Sequence, residues 1–315
     1  MVSSHNMRLK KSLRKICLKV ILFSMLFAWL LAFLFPGGAG KNWQKAFQFC
    51  GLGDFSACAA HSPFSLHVLN VGKADSIFVQ CGSHTLLIDG GTPDCGPDVT
   101  AYLKRRGTKS LDLVVNTHPD SDHIGGLKSV LQAFSVKRYF CPRLPQNLIP
   151  KTQEYADVQS ALKGCGLSSE HPKAGTTLHM GQMEIEVLGP VKQGEDTNNN
   201  SIIIKITFGK TSFLLTGDAE TQEENSIIDS GTNLKADVLK VGHHGSSTST
   251  SKRFLEAVLP RYAVISVGSD SNELPRLDVS QRLVEADITV YRTDTNGTVI
   301  FLSDGESITV KTEKT

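Results

Sequence analysis

The stretch LDLVVNTHPDSDHIGG, Leu111 to Gly126, decides how this chain is read. An apolar run suited to one buried strand ends near Asn116. The six residues from His118 to His123 then hold two histidines and two aspartates. A turn at the carboxyl end of a strand aims alternate side chains at one point, and imidazole with carboxylate suits Zn²⁺, Mn²⁺ or Fe²⁺. His118, Asp120, Asp122 and His123 are therefore candidate metal ligands. The competing reading is a polar loop in which Asp122 caps the helix begun by GGLKSVLQAF. Capping needs one such residue and accounts for neither histidine.

Two further motifs repeat the arrangement of an apolar strand running into ligand-capable residues. In FLLTGDAE, Asp218 follows the strand and one glycine. It could bridge two metals or cap the helix that follows. In LKVGHHGSSTST, His243 and His244 open a run of hydroxyl residues that starts at Ser246. Either histidine could be the ligand. Three strand-end clusters point to one shared site.

Working outward, the pattern alternates between strand clusters and intervening helices. FSLHVLN, DSIFVQ and HTLLID read as strands, DVTAYLKRR as a short helix, and a further helix is expected near Thr152 to Leu162. MEIEVLG, SIIIKITFG, TSFLLTG and ADVLKVG read as strands, with a helix from about Ala219 to Ile228. After them come helix KRFLEAVL, strand YAVISVG, helix SQRLVEA and strands ITVYRT, TVIFLS and ESITVK. Clustered strands with helices at longer intervals predict an α/β chain with two sheets, each covered by helices.

The N-terminus is a separate matter. Arg8, Lys10, Lys11, Arg14, Lys15 and Lys19 precede the apolar run from Val20 to Phe35, and no acid interrupts either. A basic flank before such a run describes a signal peptide or, by preference, a signal anchor over residues 1–36. Residues 37–62 read as a tether and 63–315 as the folded domain, lying outside the cytoplasm and either membrane-anchored or secreted. Beyond the basic segment, 27 basic and 31 acidic residues leave a charge of −4. The domain therefore has no general pull on nucleic acid. Six cysteines (Cys50, Cys58, Cys81, Cys95, Cys141 and Cys165) follow the membrane segment, an even number that would permit disulfides in an oxidising compartment.

The ordered series LNVGKADSIFV, LLIDGG, THPDSDHIGG, NNNSIIIKI, FLLTGDAE, LKVGHHGSSTS and YRTDTNGTVIF resembles the metallo-β-lactamase-fold hydrolases. Within them it is similar to the ComEC-like branch, the extracytoplasmic hydrolase domain of DNA-uptake proteins. The resemblance runs from about Leu66 to the C-terminus and implies an αββα sandwich with two divalent metal ions, Zn or Mn. It places His118, Asp122, His123 and Asp218 at metal-binding positions, with His243 or His244 as the late histidine. Asp75, Asp89, Asn200 and Ser201 match supporting or substrate-contacting positions. Asp120 stands where the wider pattern H-x-H-x-D-H has a histidine, which makes the site harder and favours manganese. Asn70 replaces a common aspartate, and Leu274 replaces the histidine that often precedes the proline of NELPRLDV.

The resemblance implies that two ions about 3.5–4 Å apart activate a water for attack on an electrophile. Asp122, Asp218 and His244 are the residues expected at the chemistry. The backbone amides of Gly125 and Gly126 and the hydroxyls from Ser246 to Thr250 are expected to help bind an anion. The substrate expected is DNA or another phosphodiester, with membrane contact through the N-terminal segment and no obligate protein partner. Alternatives are a cell-wall or small-molecule ester, a β-lactam as a weaker option, or a non-catalytic surface module stapled by metal.

Overall fold

The computed structural model describes residues 62–269 and 273–314. The segment expected over 1–36, all but Ser62 of the tether, Cys50 and Cys58 lie outside the described residues, as does Asn272 of the NELP loop. Among the described residues no helix is long and apolar enough to cross a membrane.

Strands β1 (Phe64–Val68), β2 (Ile77–Cys81) and β3 (His84–Ile88) form an antiparallel meander. Helix α1 (Gly96–Arg105) then crosses back to β4 (Ser110–Leu111) and β5 (Leu113–Val115). The opening loop follows, holding the single turn α2 (Ser121–Ile124), and leads into α3 (Leu127–Ala133). β6 (Ser135–Val136), β7 (Tyr139–Phe140), α4 (Gln153–Gly164) and β8 (Ser169–Glu170) complete the first half. The second half begins with the antiparallel strands β9 (Thr177–Met180), β10 (Met183–Gly189), β11 (Ile203–Phe208) and β12 (Thr211–Leu215). After α5 (Thr221–Asp229) come β13 (Val238–Lys240), α6 (Lys252–Val258), β14 (Tyr262–Ile265), α7 (Leu277–Glu285), β15 (Thr289–Arg292) and the single turn α8 (Thr293–Asn296). The hairpin β16 (Val299–Ser303) and β17 (Ile308–Thr312) closes the chain.

Two large sheets result, in the orders β17-β16-β1-β2-β3-β5-β7-β8 and β15-β14-β13-β12-β11-β10-β9, with β4 and β6 paired apart from both. Successive side chains of a strand point to opposite faces, so the central strands of both sheets bury residues on each side. Phe64, Leu66 and Val68 of β1 join Ile204, Ile206, Phe213 and Leu215 in the core between the sheets. Leu87 and Val114 face the other way, against α1, α3 and α4. Ile203, Leu214 and Leu239 likewise turn from the inter-sheet core to a cluster with α5, α6 and α7. Three apolar cores therefore separate four layers, the αββα sandwich expected from the sequence.

The disulfide expectation is corrected where it can be examined. Cys81, Cys95, Cys141 and Cys165 are all free. Cys95 Sγ donates to the Val71 carbonyl, Cys165 Sγ to that of Leu131, and Cys141 Sγ lies 3.6 Å from His171 Nδ1. Cys81 is buried within β2.

Candidate metal centre

Each expected ligand leaves the carboxyl end of a strand, with the loop after β5 meeting those after β12 and β13. The loop after β5 can close because glycine backbones touch: a Cβ on Gly126 would clash with the carbonyl oxygen of Gly90. Asp89, at φ 58°, occupies the left-handed region at the end of β3 and is fully buried. Its Oδ1 accepts from the Thr117 amide at 2.8 Å, and its Oδ2 from Thr117 Oγ1 at 2.6 Å and His123 Nδ1 at 2.8 Å. That last bond places the proton on Nδ1 and points His123 Nε2 inward, 3.3 Å from Asp218 Oδ1.

Around Asp218 the rings converge. His118 Nε2 lies 3.9 Å and His244 Nε2 3.7 Å from its Oδ2. His118 Nδ1 lies 3.1 Å from Thr117 Oγ1, and His244 Nδ1 donates to the Ser266 carbonyl at 2.9 Å. His243 and His244 both adopt left-handed φ, 47° and 53°, a strained conformation worth about 1–3 kcal/mol per residue that directs two successive rings. They separate. His244 is fully buried and its Nε2 is 3.5 Å from Asp122 Oδ2. His243 stays 25% exposed, with Nδ1 held by Glu220 Oε1 at 3.2 Å and Nε2 3.8 Å from Asp218 Oδ2.

Whether a metal fits is answered by the unpaired atoms. Among the described residues, His118 Nε2, His123 Nε2, His244 Nε2 and Asp218 Oδ1 are buried without a hydrogen-bond partner. Orphaned buried polar atoms are costly, and here all four are ligand-capable atoms facing one another. Two overlapping trios could hold cations, His118–His123–Asp218 and Asp122–His123–His244, with ligand atoms within 4.8 Å of one another. A third trio, Asp75–Asp89–His123, satisfies the same distance. It is the weakest, because both oxygens of Asp89 are already spent on Thr117 and His123. The donor set of imidazoles and carboxylates fits two adjacent divalent ions.

The electrostatics agree. Burial would raise the Asp218 carboxyl, yet the facing rings of His123 and His244 hold it well below the usual carboxylate range. Burial, with His123 beside it, lowers His118 to about 4. Burial opposes charge on His123 too, but Asp218 and Asp89 outweigh it and raise that imidazole well above its ordinary range in the metal-free site, a proton that an ion on Nε2 would displace. Asp122 is similarly depressed, against burial, by its contact with His244.

Other expected residues fall less centrally. Asp120 is 43% exposed with Oδ2 3.8 Å from His118 Nε2, and it belongs to none of the trios. Burial raises its carboxyl. The capping alternatives fail: Asp120, not Asp122, precedes α2 and makes no side-chain cap, and Glu220, not Asp218, precedes α5. Ser201 Oγ accepts from the Asp218 amide at 3.3 Å and so supports the site. Asn200 bonds Gly194 and Asp196, fastening its own loop. Ser246 pairs with Thr248 at the surface. The anion role expected of Gly125 and Gly126 is corrected, because their amides are already bonded to Ser121 and Gly91. Leu274 packs at the edge of the outer apolar cluster on β13 and β14.

Sequence reasoning missed Lys240. It is fully buried, and its Nζ lies 3.0 Å from Asp75 Oδ2 and donates to the Val241 carbonyl at 2.9 Å. Asp75 Oδ1 in turn lies 3.8 Å from His244 Nδ1. A lone lysine inside ADVLKVG was the available signal. Glu220, behind His243, was missed as well.

Comparison with known proteins decides the family. Residues 69–269 match the model of the metallo-beta-lactamase superfamily. The chain belongs to that superfamily. It is 32% identical over 252 residues to ComE operon protein 3 of Bacillus subtilis (strain 168), covering 74% of this chain and 32% of that protein. It is 29% identical over 276 residues to competence protein ComA of Neisseria gonorrhoeae, covering 86% of this chain and 37% of that protein. These relatives are ComEC-like competence proteins, and the chain spans about a third of their length. Among solved structures, the metallo-beta-lactamase fold protein YhfI from Bacillus subtilis superposes with a TM-score of 0.50 at 14% identity, covering 75% of this chain and 98% of that one. CmlA, a diiron beta-hydroxylase from Streptomyces venezuelae, gives 0.52 at 14% identity, covering 77% and 54%. Both share the fold. Superfamily membership and the ligand clusters support a metal-dependent hydrolase in general terms.

Proposed function

We propose that this chain is an exported, metal-dependent phosphodiesterase whose substrate is DNA or a related phosphodiester. The observation that carries the hydrolase reading is the convergence of three imidazole nitrogens and one carboxylate oxygen, all buried and unpartnered, on one point at the strand ends. The substrate class rests on the likeness to competence proteins. The basic and apolar N-terminal sequence supports a location outside the cytoplasm, at the membrane.

His118, His123 and Asp218 would hold one ion, and Asp122 and His244, with the second oxygen of Asp218, the neighbouring one, with Asp120 at the rim. Bound there, two divalent ions would supply Lewis-acid activation of water and of the phosphoryl group, Zn²⁺ or, given the extra carboxylates, Mn²⁺. The chain's own residues do the rest. Asp89 and Thr117 fix the tautomer of His123, and the Ser266 carbonyl fixes that of His244. Lys240 neutralises Asp75 beneath the site. His243, with Nδ1 against Glu220 and Nε2 toward Asp218, is placed to give a proton from Nε2 to the departing oxygen.

The test is turnover of single-stranded DNA and of a generic phosphodiester with Mn²⁺ or Zn²⁺, beside Asp122→Ala. Metal-dependent DNA cleavage lost in the variant is the expected result. Hydrolysis of the generic ester alone would move the substrate to a cell-wall or small-molecule ester. No turnover by folded, metal-loaded protein would refute the enzyme reading in favour of a binding module.

A further inference from the structure

A cleft of about 240 Å³ lies beside the metal loop and plays no part in the chemistry above. It opens at the carboxyl ends of the parallel strands β5, β7 and β8, the end of such a sheet where ligands bind. Asn116 and Pro119 line both the cleft and the loop that carries His118. A group seated there would therefore share that loop with whatever occupies the metal centre.

The lining is chemically selective. Tyr139 is fully buried, yet among the described residues its hydroxyl has no hydrogen-bond partner. Burial, with Cys141 nearby, holds that phenol neutral, so it is a donor awaiting an acceptor. Tyr155 and Gln159, one turn apart on α4, add a half-buried ring and an amide. Arg143 adds a positive charge, and among the described residues no acid lines the cleft. Apolar walls, an aromatic ring and donors without carboxylates suit a flat, acceptor-edged group attached to an anion. The volume takes one such group, being below the roughly 300–1,000 Å³ of drug-sized sites. Stacking of bases on aromatic rings is a sequence-tolerant source of affinity.

We propose that this cleft seats a nucleobase of the nucleotide adjoining the scissile phosphodiester. The assignment rests on the phosphodiesterase reading for its neighbour and on the cleft for its own chemistry.

The test uses the full chain with Mn²⁺ and two substrates, the dinucleotide thymidylyl-thymidine and methyl p-nitrophenyl phosphate, which has no nucleobase. Tyr139→Phe and Gln159→Ala are compared with the parent protein, and thymidine 5′-monophosphate binding is followed by ligand-observed NMR. Loss of one neutral hydrogen bond should raise KM for the dinucleotide by about 3- to 10-fold in Tyr139→Phe, with kcat and both constants for the methyl ester unchanged. The melting temperature of that variant should hold or rise, because an unpartnered buried hydroxyl is removed, whereas a merely structural tyrosine would leave KM alone. Unchanged dinucleotide KM in both variants, or equal shifts for both substrates, would overturn the assignment. If the parent protein hydrolyses neither ester, the phosphodiesterase reading fails and the nucleotide titration decides the cleft. Binding that Tyr139→Phe weakens sustains it. No binding, or equal binding of inorganic phosphate, overturns it.

Discussion

Replacing Asp89 by Asn is the sharpest probe of the metal centre, because it changes one atom's chemistry in a fully buried position. The amide oxygen can keep the bond to the Thr117 amide, and the Thr117 hydroxyl can turn to donate elsewhere. His123 has no such freedom. Its Nδ1–H, 2.8 Å from Oδ2 in the parent, would meet an amide N–H₂. The ring escapes by moving its proton to Nε2, which then aims a donor at the space shared with His118 and Asp218. A hydrogen bond to a charged group contributes about 1.5–3 kcal/mol. Loss of an outer partner of a metal-bound histidine costs about 10–100-fold in affinity, or about 1.4–2.8 kcal/mol. The two figures agree. Calorimetric titration of Mn²⁺ and Zn²⁺ into both proteins measures the effect, and melting of the metal-free proteins separates it from lost stability. Affinity within about twofold of the parent, alongside a lower melting temperature, would show that Asp89 only braces the loop.

Other expectations follow from the same geometry. Lys240→Met leaves Asp75 as an uncompensated buried charge and should cost about 3–5 kcal/mol by denaturant unfolding, with Lys240→Met/Asp75→Asn recovering much of it. The absence of coupling in that double-mutant cycle would refute the pairing. Burial raises the Glu223 carboxyl to about 7 even though Oε1 accepts the Val191 amide at 2.7 Å. The folded state then binds the proton more tightly than the unfolded chain. Glu223 therefore stabilises below about 4.5, and that contribution is lost as pH rises through about 7, at no more than about 1.4 kcal/mol per unit. Glu223→Gln should flatten the stability profile between those limits, and an unchanged slope would count against it. Gly126→Ala, whose Cβ would meet the Gly90 carbonyl, should displace the metal loop. Retained metal binding at parental affinity would show that the close approach is dispensable.

Much of this protein was legible along the chain. Alternating apolar residues in FSLHV and IIKITF set which side chain faces which sheet, since a strand's period is two. The strand-end positions of His118, Asp122, His123, Asp218 and His244 followed from apolar runs ending at Gly or Asn. Two sheets covered by helices followed from the spacing of those runs. The sequence could not divide His243 from His244, because both are polar residues after one strand; the left-handed backbone and the loop from β12 make one a buried ring and the other a rim residue. Nor could it pair Lys240, conspicuous as a lone lysine in an apolar strand, with Asp75, more than a hundred positions away in the chain and 3.0 Å away in space. Capping by Asp122 or Asp218 and anion binding by Gly125 and Gly126 were open locally; the helices start after Asp120 and Glu220 instead, and the two glycine amides bond the Ser121 and Gly91 carbonyls. Local pattern is written in propensity and period, which neighbours in sequence determine. The assignment of each polar atom to a partner is a contest among groups that only folding brings together.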